Sequence, residues 1–247
     1  GAEPPVPMKA SPPALPPGMS IDDGFKAIAW NCIGQLHGNE AGLIEELDPE
    51  YLHQMRVGLR RLRSALGIFS AVYTKPALAP ARVELKWLAV QLGPARDWDV
   101  FATQLLPALL AQFPDHAGLA ALRDEAQALR TKHNAGVREA VQSVRYQTLL
   151  LTLGAWLYAE PWRSQSGPAG LAGLDEPLAV FAAAVLEKRQ GRLRKRGRHL
   201  ARLTTVERHA LRIAAKKLRY AAEFFAPLYP HARAQPFLRA LSRLQDV

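Results

Sequence analysis

The chain has 247 residues, of which 49% are hydrophobic, so it is long enough to bury a sizeable core. Its formal net charge is +10 and its pI is about 10.0, a balance that favours polyanionic partners such as nucleic acid, phosphorylated polymers or an anionic surface. The single cysteine, Cys32, excludes an internal disulfide framework and a cysteine-based zinc site, and it is typical of a reducing compartment.

Residues 1–19 contain seven prolines and are predicted to form an extended or disordered linker. Beyond them, apolar residues repeat with helical period and no segment alternates as a β-strand does, so we predict an all-α fold. The predicted helices span about 20–38, 50–73, 80–93, 97–112, 116–143, 145–160, 176–200, 206–227 and 234–247. Breaks are predicted at 48–50, 76–80, Gly93-Pro94, Pro114 and Pro230, and residues 164–173 are predicted to be the one long flexible connection.

The hydropathy pattern argues against a membrane protein. No segment reaches the roughly 18 consecutive apolar residues that a membrane-spanning helix needs. The most apolar stretch, 148–159, stops at Glu160-Pro161 and is predicted to be a buried helix. The N-terminus also lacks a basic segment followed by an apolar one, which a secretory signal requires. We therefore expect a soluble cytoplasmic protein with no membrane partner.

One helical segment occurs twice. HQMRVGLRRLRSALGIF (53–69) aligns without a gap on HALRIAAKKLRYAAEFF (209–225), at an offset of 156 residues. The same offset places Leu47 on Leu203 before the aligned segments, and Leu85 on Leu241 after them. Such a repeat predicts two copies of a helical unit, arranged as two pseudo-symmetric antiparallel bundles.

Each copy divides into a cationic face and an apolar face. On a helical wheel His53, Arg56, Arg60 and Arg63 fall within an arc of about 80°, and their row is about 15 Å long. The opposing core stripe consists of Met55, Leu59, Leu62, Leu66 and Phe69. The second copy repeats this layout with cationic-face residues His209, Arg212, Lys216 and Arg219, and with core residues Leu211, Leu218, Ala222 and Phe225. Arg61 and Lys217 lie apart from these rows on the wheel.

The positive charge is concentrated in the second half of the chain. Segment 187–219 holds thirteen Lys or Arg residues and two Glu residues. Its net charge of +11 exceeds that of the whole chain, so the basicity is local, as expected of a binding surface.

At the two aligned segments the sequence resembles the CHAD family, a histidine-containing α-helical domain built from two repeated bundles. The likeness is carried by H-x-x-R-V-x-x-R-R-L-R-x-A at 53–65, by H-x-x-R-I-x-x-K-K-L-R-Y at 209–220 and by RDWDVF at 96–101. It covers about residues 20–247, with a first repeat at about 20–112, connecting helices at about 116–160 and a second repeat at about 176–247.

The resemblance implies that the chain binds inorganic polyphosphate in a basic groove or channel between the two bundles, without a cofactor. The implied binding residues are His53, Arg56, Arg60, Arg61, Arg63, Lys86, Arg192, Lys195, Arg196, Arg198, Arg202, His209, Arg212, Lys216, Lys217 and Arg219. CHAD domains often follow a CYTH triphosphatase-type domain, and the proline-rich start resembles that junction. The Glu-x-Glu-x-Lys pattern of CYTH domains is absent, so we expect no catalysis by this chain. The likeness further implies an association with polyphosphate granules and a second repeat that lacks its final helix.

Two other functions stay open at this point. A nucleic-acid-binding domain would also be basic, although no helix-turn-helix signature or stacking aromatic pattern supports it. A histidine-dependent phosphohydrolase would need paired carboxylates for magnesium or a general base. We interpret His53 and His209 as neutral hydrogen-bond donors and predict no metal site, because no H-x-x-x-H or H-E-x-x-H spacing occurs.

The acidic and aromatic residues near the first copy have structural interpretations. Asp97 and Asp99 are predicted to cap a helix that begins near Trp98 and to pair with arginines of the cationic face. The aromatic residues Trp87, Trp98, Trp156 and Phe69 are predicted to lie in the core.

Overall fold

The computed structural model describes residues 6–45, 48–73, 75–164 and 167–244. Leu47, residues 1–5 of the predicted linker and the last three residues lie outside this range. The α-helices are α1 (Ile21–His37), α2 (Glu40–Ile44), α3 (Pro49–Phe69), α4 (Lys75–Val100), α5 (Leu106–Gln112), α6 (Ala117–Gln142), α7 (Val144–Ala159), α8 (Pro161–Ser164), α9 (Pro168–Leu174), α10 (Leu178–Gly197), α11 (Thr205–Phe225) and α12 (His231–Arg243).

The prediction of an all-α fold is confirmed. In the described residues the only β-type pairing is an isolated bridge between Ser20 and Pro177. None of the described helices has the length and apolar content needed to cross a membrane.

Three predicted interruptions of the helices are wrong. The break predicted at 76–80 lies inside α4, which begins at Lys75 and contains Pro80. Helix α4 passes through Gly93-Pro94, and a π-helical turn at Phe101–Leu105 joins it to α5. Pro94 lacks the backbone donor that would reach the carbonyl of residue 90, yet the helix continues to Val100. The segment 164–173 is predicted to be a flexible connection, but it contains most of helix α9. This helix begins at Pro168, a residue type that is common in the first turn of helices.

The repeated sequence forms helices with matching ends. Helices α3 and α11 begin and end 156 residues apart, and α4 and α12 begin at the same offset. The apolar stripes predicted for both copies are buried, at Met55, Leu59, Leu62, Leu66, Phe69, Leu211, Leu218, Ala222 and Phe225. The same pattern of apolar residues therefore gives the same helix length and the same buried face.

The chain divides into two compact units. Unit 1 comprises the described residues of Gly1–Ala10, Ile33–Arg60 and Ala79–Ala159. Unit 2 comprises those of Ser11–Cys32, Arg61–Leu78 and Glu160–Val247. The division falls inside α3, so this helix supplies residues to each unit.

Unit 1 is built around α4, α6 and α7. Helix α6 packs on α7 and also contacts α2 and α5. Its core includes Leu85, Leu88 and Leu92 of α4 together with Val141 and Leu149, all of which are buried. Near the N-terminus, Asn39 holds the extended backbone of Met8 by accepting from its amide at 3.0 Å and donating to its carbonyl at 2.9 Å.

Unit 2 has an aromatic core. The ring of Phe69 lies 5.1 Å from Phe25, 5.1 Å from Phe181 and 6.3 Å from Phe225, centroid to centroid. Phe69 and Phe225 occupy equivalent positions in the two sequence copies, so the duplicated phenylalanine contributes twice to one core. These rings bury a large apolar area and hold the ends of α3 and α11 in place.

A buried carboxylate lies beside this aromatic core. Asp22 Oδ1 accepts from Tyr73 Oη at 2.5 Å and from Trp162 Nε1 at 2.8 Å. Its other oxygen accepts from Arg163 Nη1 at 2.8 Å, and Arg163 also donates to exposed Asp175. Asp22 thus links α1 to the segment after α3 and to α8, and burial together with this carboxylate raises the pKa of Tyr73.

We expect Asp22→Ala to lower the free energy of unfolding by about 3–5 kcal/mol, because it leaves buried donors and one guanidinium without their partner. Chemical denaturation followed by circular dichroism measures this change. Asp175→Ala is the matched control: it removes the exposed partner of the same arginine and should cost at most about 1 kcal/mol. Equal losses in the two variants would contradict the assigned role of Asp22.

Candidate functional site

The cationic face of the first copy is only partly exposed. Arg60 and Arg63 are exposed, whereas His53 and Arg56 are half-buried. His53, Arg56 and Arg60 belong to unit 1, and Arg63 belongs to unit 2. Lys86, on α4 of unit 1, is exposed.

Arg56 is held by the neighbouring helix α4. Its Nη1 donates to the carbonyl oxygens of Leu92, at 2.7 Å, and Gly93, at 2.5 Å. Its Nη2 lies 3.8 Å from the carboxylate of Asp97. Burial lowers the pKa of Arg56, and Asp97 opposes that shift. Arg56 therefore fixes α3 against α4 and brings a positive charge to their junction.

His53 lies in a positively charged environment. Burial is the main cause that lowers its pKa below the usual value. The charge of Arg96 acts in the same direction, as do Arg60 and Arg56, whereas Glu50 opposes it. The imidazole is therefore held in its neutral form, as the sequence predicts for this position.

The structure places Arg61 in the interior of unit 2, with an exposed fraction of 3%. Its Nη2 donates to the Ser11 carbonyl at 2.9 Å and to Asn31 Oδ1 at 2.8 Å. Its guanidinium also lies over the ring of Phe224, 5.4 Å from the centroid. Arg61 thus ties the proline-rich segment to α1 and α3, and we leave it out of the candidate site.

The second copy presents its cations more openly. His209, Arg212 and Lys217 on α11 are exposed, and Lys216 and Arg219 are half-buried. Arg219 Nε lies 3.3 Å from Glu223 one turn further along the helix. The equivalent residues of the two copies therefore differ in burial: Arg56 is half-buried and Arg61 is buried, whereas Arg212 and Lys217 are exposed.

Two arginines of α10 connect it to α11. Arg189 Nη1 donates to the carbonyl of Lys217, and Arg196 Nη1 donates to the carbonyl of Ala210 at 3.2 Å. Burial lowers the pKa of Arg189, as does the charge of Arg192. The donors are seven residues apart on α10 and the acceptors are seven apart on α11, which fixes the register of the antiparallel pair. The sequence analysis did not single out Arg189. Its spacing of seven residues from Arg196, which places both on one face of a helix, was the signal that could have identified it.

The remaining cations of this region extend into solvent. Arg192, Lys195, Arg198 and Arg202 are exposed, and within the described residues none of these side chains forms a hydrogen bond or ion pair. We call the exposed surface of α10 and α11, with the short 3-10 turn at Leu200–Arg202, the basic hairpin.

The capping role predicted for Asp97 and Asp99 is wrong, because both residues lie inside α4 and no helix begins at Trp98. The predicted pairing with the cationic face is confirmed for Asp97, which lies near Arg56. Asp99 instead pairs with Arg130 of α6, at 2.7 Å from Oδ1 to Nε. Because α4 continues past Pro94 to Val100, Asp97 and Asp99 lie within the helix and have no helix start to cap.

Metal ligands do not assemble in the part of the chain that the structure describes. No group of three or more His, Cys, Asp or Glu side chains there is close enough to hold an ion.

The chain is similar to known helical domains. The family model described as CHAD domain matches residues 27–247. The crystal structure of the CHAD domain from the plant Ricinus communis superposes with a TM-score of 0.83 at 36% identity, over 98% of this chain and 78% of that one. PptA from Streptomyces chartreusis gives a TM-score of 0.63 at 18% identity, over 91% of this chain and 82% of its own, and shows a shared fold. No curated protein matches the chain.

The environment of His53 leads to a prediction that solution NMR can check. Arg96→Ala should raise the pKa of His53, since it removes a repelling charge, and Glu50→Gln should lower it further. Because the folded state disfavours the protonated ring, the contribution of His53 to stability is retained above about pH 6.5 and is lost as pH falls through the lowered pKa. Arg123→Ala, which changes an exposed arginine on α6, should leave the titration of His53 unchanged.

Proposed function

Because this chain belongs to the CHAD domain family, we propose that it binds inorganic polyphosphate along its Lys- and Arg-rich surfaces without catalysing a reaction. The observation that carries the proposal is the basic hairpin of unit 2. Its exposed cations lie in one continuous segment of the sequence. Four of them form no ion pair within the described residues: Arg192, Lys195, Arg198 and Arg202.

The acids in the basic hairpin are far fewer than its cations. Glu207 accepts from the backbone and hydroxyl of Thr204 at 2.8 Å, which completes the N-terminal cap of α11. These bonds lower the pKa of Glu207 and commit its charge to the helix end. The other acids of α10 and α11 are Glu187 and Glu223, and Glu223 lies 3.3 Å from Arg219. Like charges at helical spacing repel, so a bound polyanion would stabilise the arrangement.

The proposed binding residues differ in the way that each type of side chain can contact phosphate. Exposed arginines can bind phosphate oxygens in bidentate fashion, and exposed lysines act as mobile point charges. The proposed ligands are Arg60, Arg63, Lys86, Arg192, Lys195, Arg196, Arg198, Arg202, Arg212, Lys216, Lys217 and Arg219, with His53 and His209 as hydrogen-bond donors. Arg56 contributes charge while it holds α4. The expectation of a groove shared by the two bundles stays a prediction.

A linear polymer suits such a surface better than a single phosphate. Each exposed contact is weak, but once one phosphate is bound its neighbours are held near the next cation at high effective concentration. Release of counterions from the polymer adds favourable entropy. We therefore expect long-chain polyphosphate to bind far more tightly than orthophosphate.

Substitution of the second copy tests the surface directly. We expect Arg212→Ala combined with Lys216→Ala to weaken binding of long-chain polyphosphate about 10- to 100-fold, because two charge-assisted contacts are lost. Fluorescence anisotropy with an end-labelled polymer measures the dissociation constant. The control is Arg123→Ala with Lys132→Ala, which lowers net charge equally but changes two exposed residues of α6 in unit 1. If both double variants bind like the wild type, the proposed surface is wrong.

The salt dependence of binding supplies a second test. The logarithm of the association constant should fall linearly with the logarithm of salt concentration, since binding displaces condensed counterions. The Arg212/Lys216 double variant should reduce the slope by about 1 for each phosphate contact that it removes. A slope that is flat in the wild type would exclude an electrostatic mechanism.

Competition separates polyphosphate binding from the alternatives. Long-chain polyphosphate should displace single- and double-stranded nucleic acid at equal phosphate concentration, and nucleic acid should displace polyphosphate poorly. Incubation of the polymer with the protein and magnesium should release no orthophosphate. Preferential binding of nucleic acid, or measurable phosphate release, would favour one of the other two functions.

A further inference from the structure

Helix α7 of unit 1 is apolar on two opposite sides. Its inner side packs in the core through four buried residues, Tyr146, Leu149, Leu153 and Leu157. On its outer side the large residues Val144, Leu151 and Tyr158 have exposed fractions of 77%, 75% and 88%. A helix that is apolar all round is normally covered on every side, and contiguous exposed apolar side chains mark interaction surfaces. The outer side of α7 is therefore a candidate interface.

The outer residues have the spacing of a coiled-coil seam. Val144, Thr148, Leu151, Ala155 and Tyr158 are all exposed and follow one another at intervals of four, three, four and three residues. This alternation returns to one side of a helix every seven residues, as it does where two helices pack along their length. The large residues at 144, 151 and 158 alternate with small ones at 148 and 155, so the seam supplies both knobs and holes.

Charge does not oppose association of two copies through this seam. Arg145 is the only charged residue of α7, and its Nε and Nη2 donate to the Glu84 carboxylate of α4 at 2.8 and 3.0 Å. Unit 1 holds 11 Lys or Arg and 13 Asp or Glu residues, a net charge of −2, whereas unit 2 has a net charge of +12. The positive charge that would repel a second copy thus belongs to unit 2.

The seam is complementary to itself when two α7 helices lie antiparallel. A two-fold axis at Leu151 places this residue against its own copy and Val144 against the partner's Tyr158. The small residues Thr148 and Ala155 then lie near each other across the axis. The two Arg145 residues are separated by about 18 Å along the helices, beyond the screening length of about 8 Å, whereas a parallel pair would bring them together.

The apolar surface is large enough for such a pair. With Val83 and Val90, which are exposed on neighbouring α4, the three large residues of the seam present on the order of 600 Å² per copy, close to the roughly 800 Å² per partner of a standard interface. A groove of about 370 Å³ between α4 and α7 adjoins the seam at Thr148. Its apolar lining comes from Pro80, Ala81, Leu149, Leu153 and Trp156. Thr148 lies one turn from Val144, so the groove is within reach of the partner's Tyr158.

We propose that the chain forms a symmetric homodimer through the outer side of α7, with Leu151 on the two-fold axis. The proposal is independent of polyphosphate binding, because none of the proposed phosphate ligands lies on α7.

Analytical ultracentrifugation of the full chain tests the dimer. At about 50 µM the wild type should sediment with a mass of about 54 kDa, twice the 27.2 kDa of one chain. Leu151→Asp places two carboxylates together on the axis and should weaken association at least about 100-fold, which gives the monomer mass. The matched control is Leu105→Asp, because Leu105 is an exposed leucine of unit 1 outside α7, and this variant should remain dimeric.

A wild-type chain that is monomeric at this concentration overturns the proposal and leaves the seam to a different protein. A Leu151→Asp variant that stays dimeric also overturns it, since the copies must then associate through another surface.

Cysteine crosslinking tests the position of the axis without relying on a disruptive variant. Cys32 does not compete, because it is buried and burial raises the pKa of its thiol to about 12. Leu151→Cys should form a covalent dimer under mild oxidation, since a residue on the axis meets its own copy. Val144→Cys should crosslink only when it is mixed with Tyr158→Cys. Crosslinking of Val144→Cys with itself, or no crosslinking of Leu151→Cys, overturns the antiparallel arrangement.

Discussion

The packing of α10 against α11 is the constraint on which the proposed function depends. Cations at helical spacing repel one another, so a row of them persists only on helices held by other forces. In unit 2 those forces are the buried apolar faces of the two helices and the bonds from Arg189 and Arg196 to carbonyls of α11. The core therefore fixes the two helices that carry the basic surface, whether or not a ligand is present.

The two copies of the repeated helix share a buried apolar stripe but differ in the contacts of their cations. Both keep the apolar stripe, because helix length and burial follow from the spacing of leucine and phenylalanine. They differ in their cations: Arg56 and Arg61 bind backbone carbonyls, whereas Arg212 and Lys217 remain exposed. An arginine can satisfy a buried carbonyl or bind a phosphate, and its neighbours decide which.

The ion pair of Asp99 and Arg130 in unit 1 can be compared with the buried Asp22 in unit 2. Asp22 in unit 2 has donors on both carboxylate oxygens and serves only the fold. Asp99 in unit 1 is equally buried but has a donor on one oxygen alone, and it lies beside a cavity. Asp22 joins three parts of unit 2, whereas Asp99 joins α4 to α6 within unit 1.

Periodicity in the sequence determined the all-α fold, the two helices α3 and α11, their offset of 156 residues and their buried faces, because these depend on spacing along a single helix. The sequence also located the basic segment. Only the tertiary structure decided that α4 passes through Pro94 and that Arg56, on another helix, binds two carbonyls of α4. It likewise decided that Arg61 is buried and that Asp99 pairs with Arg130, because partners 30 or more residues away cannot be read from a local pattern.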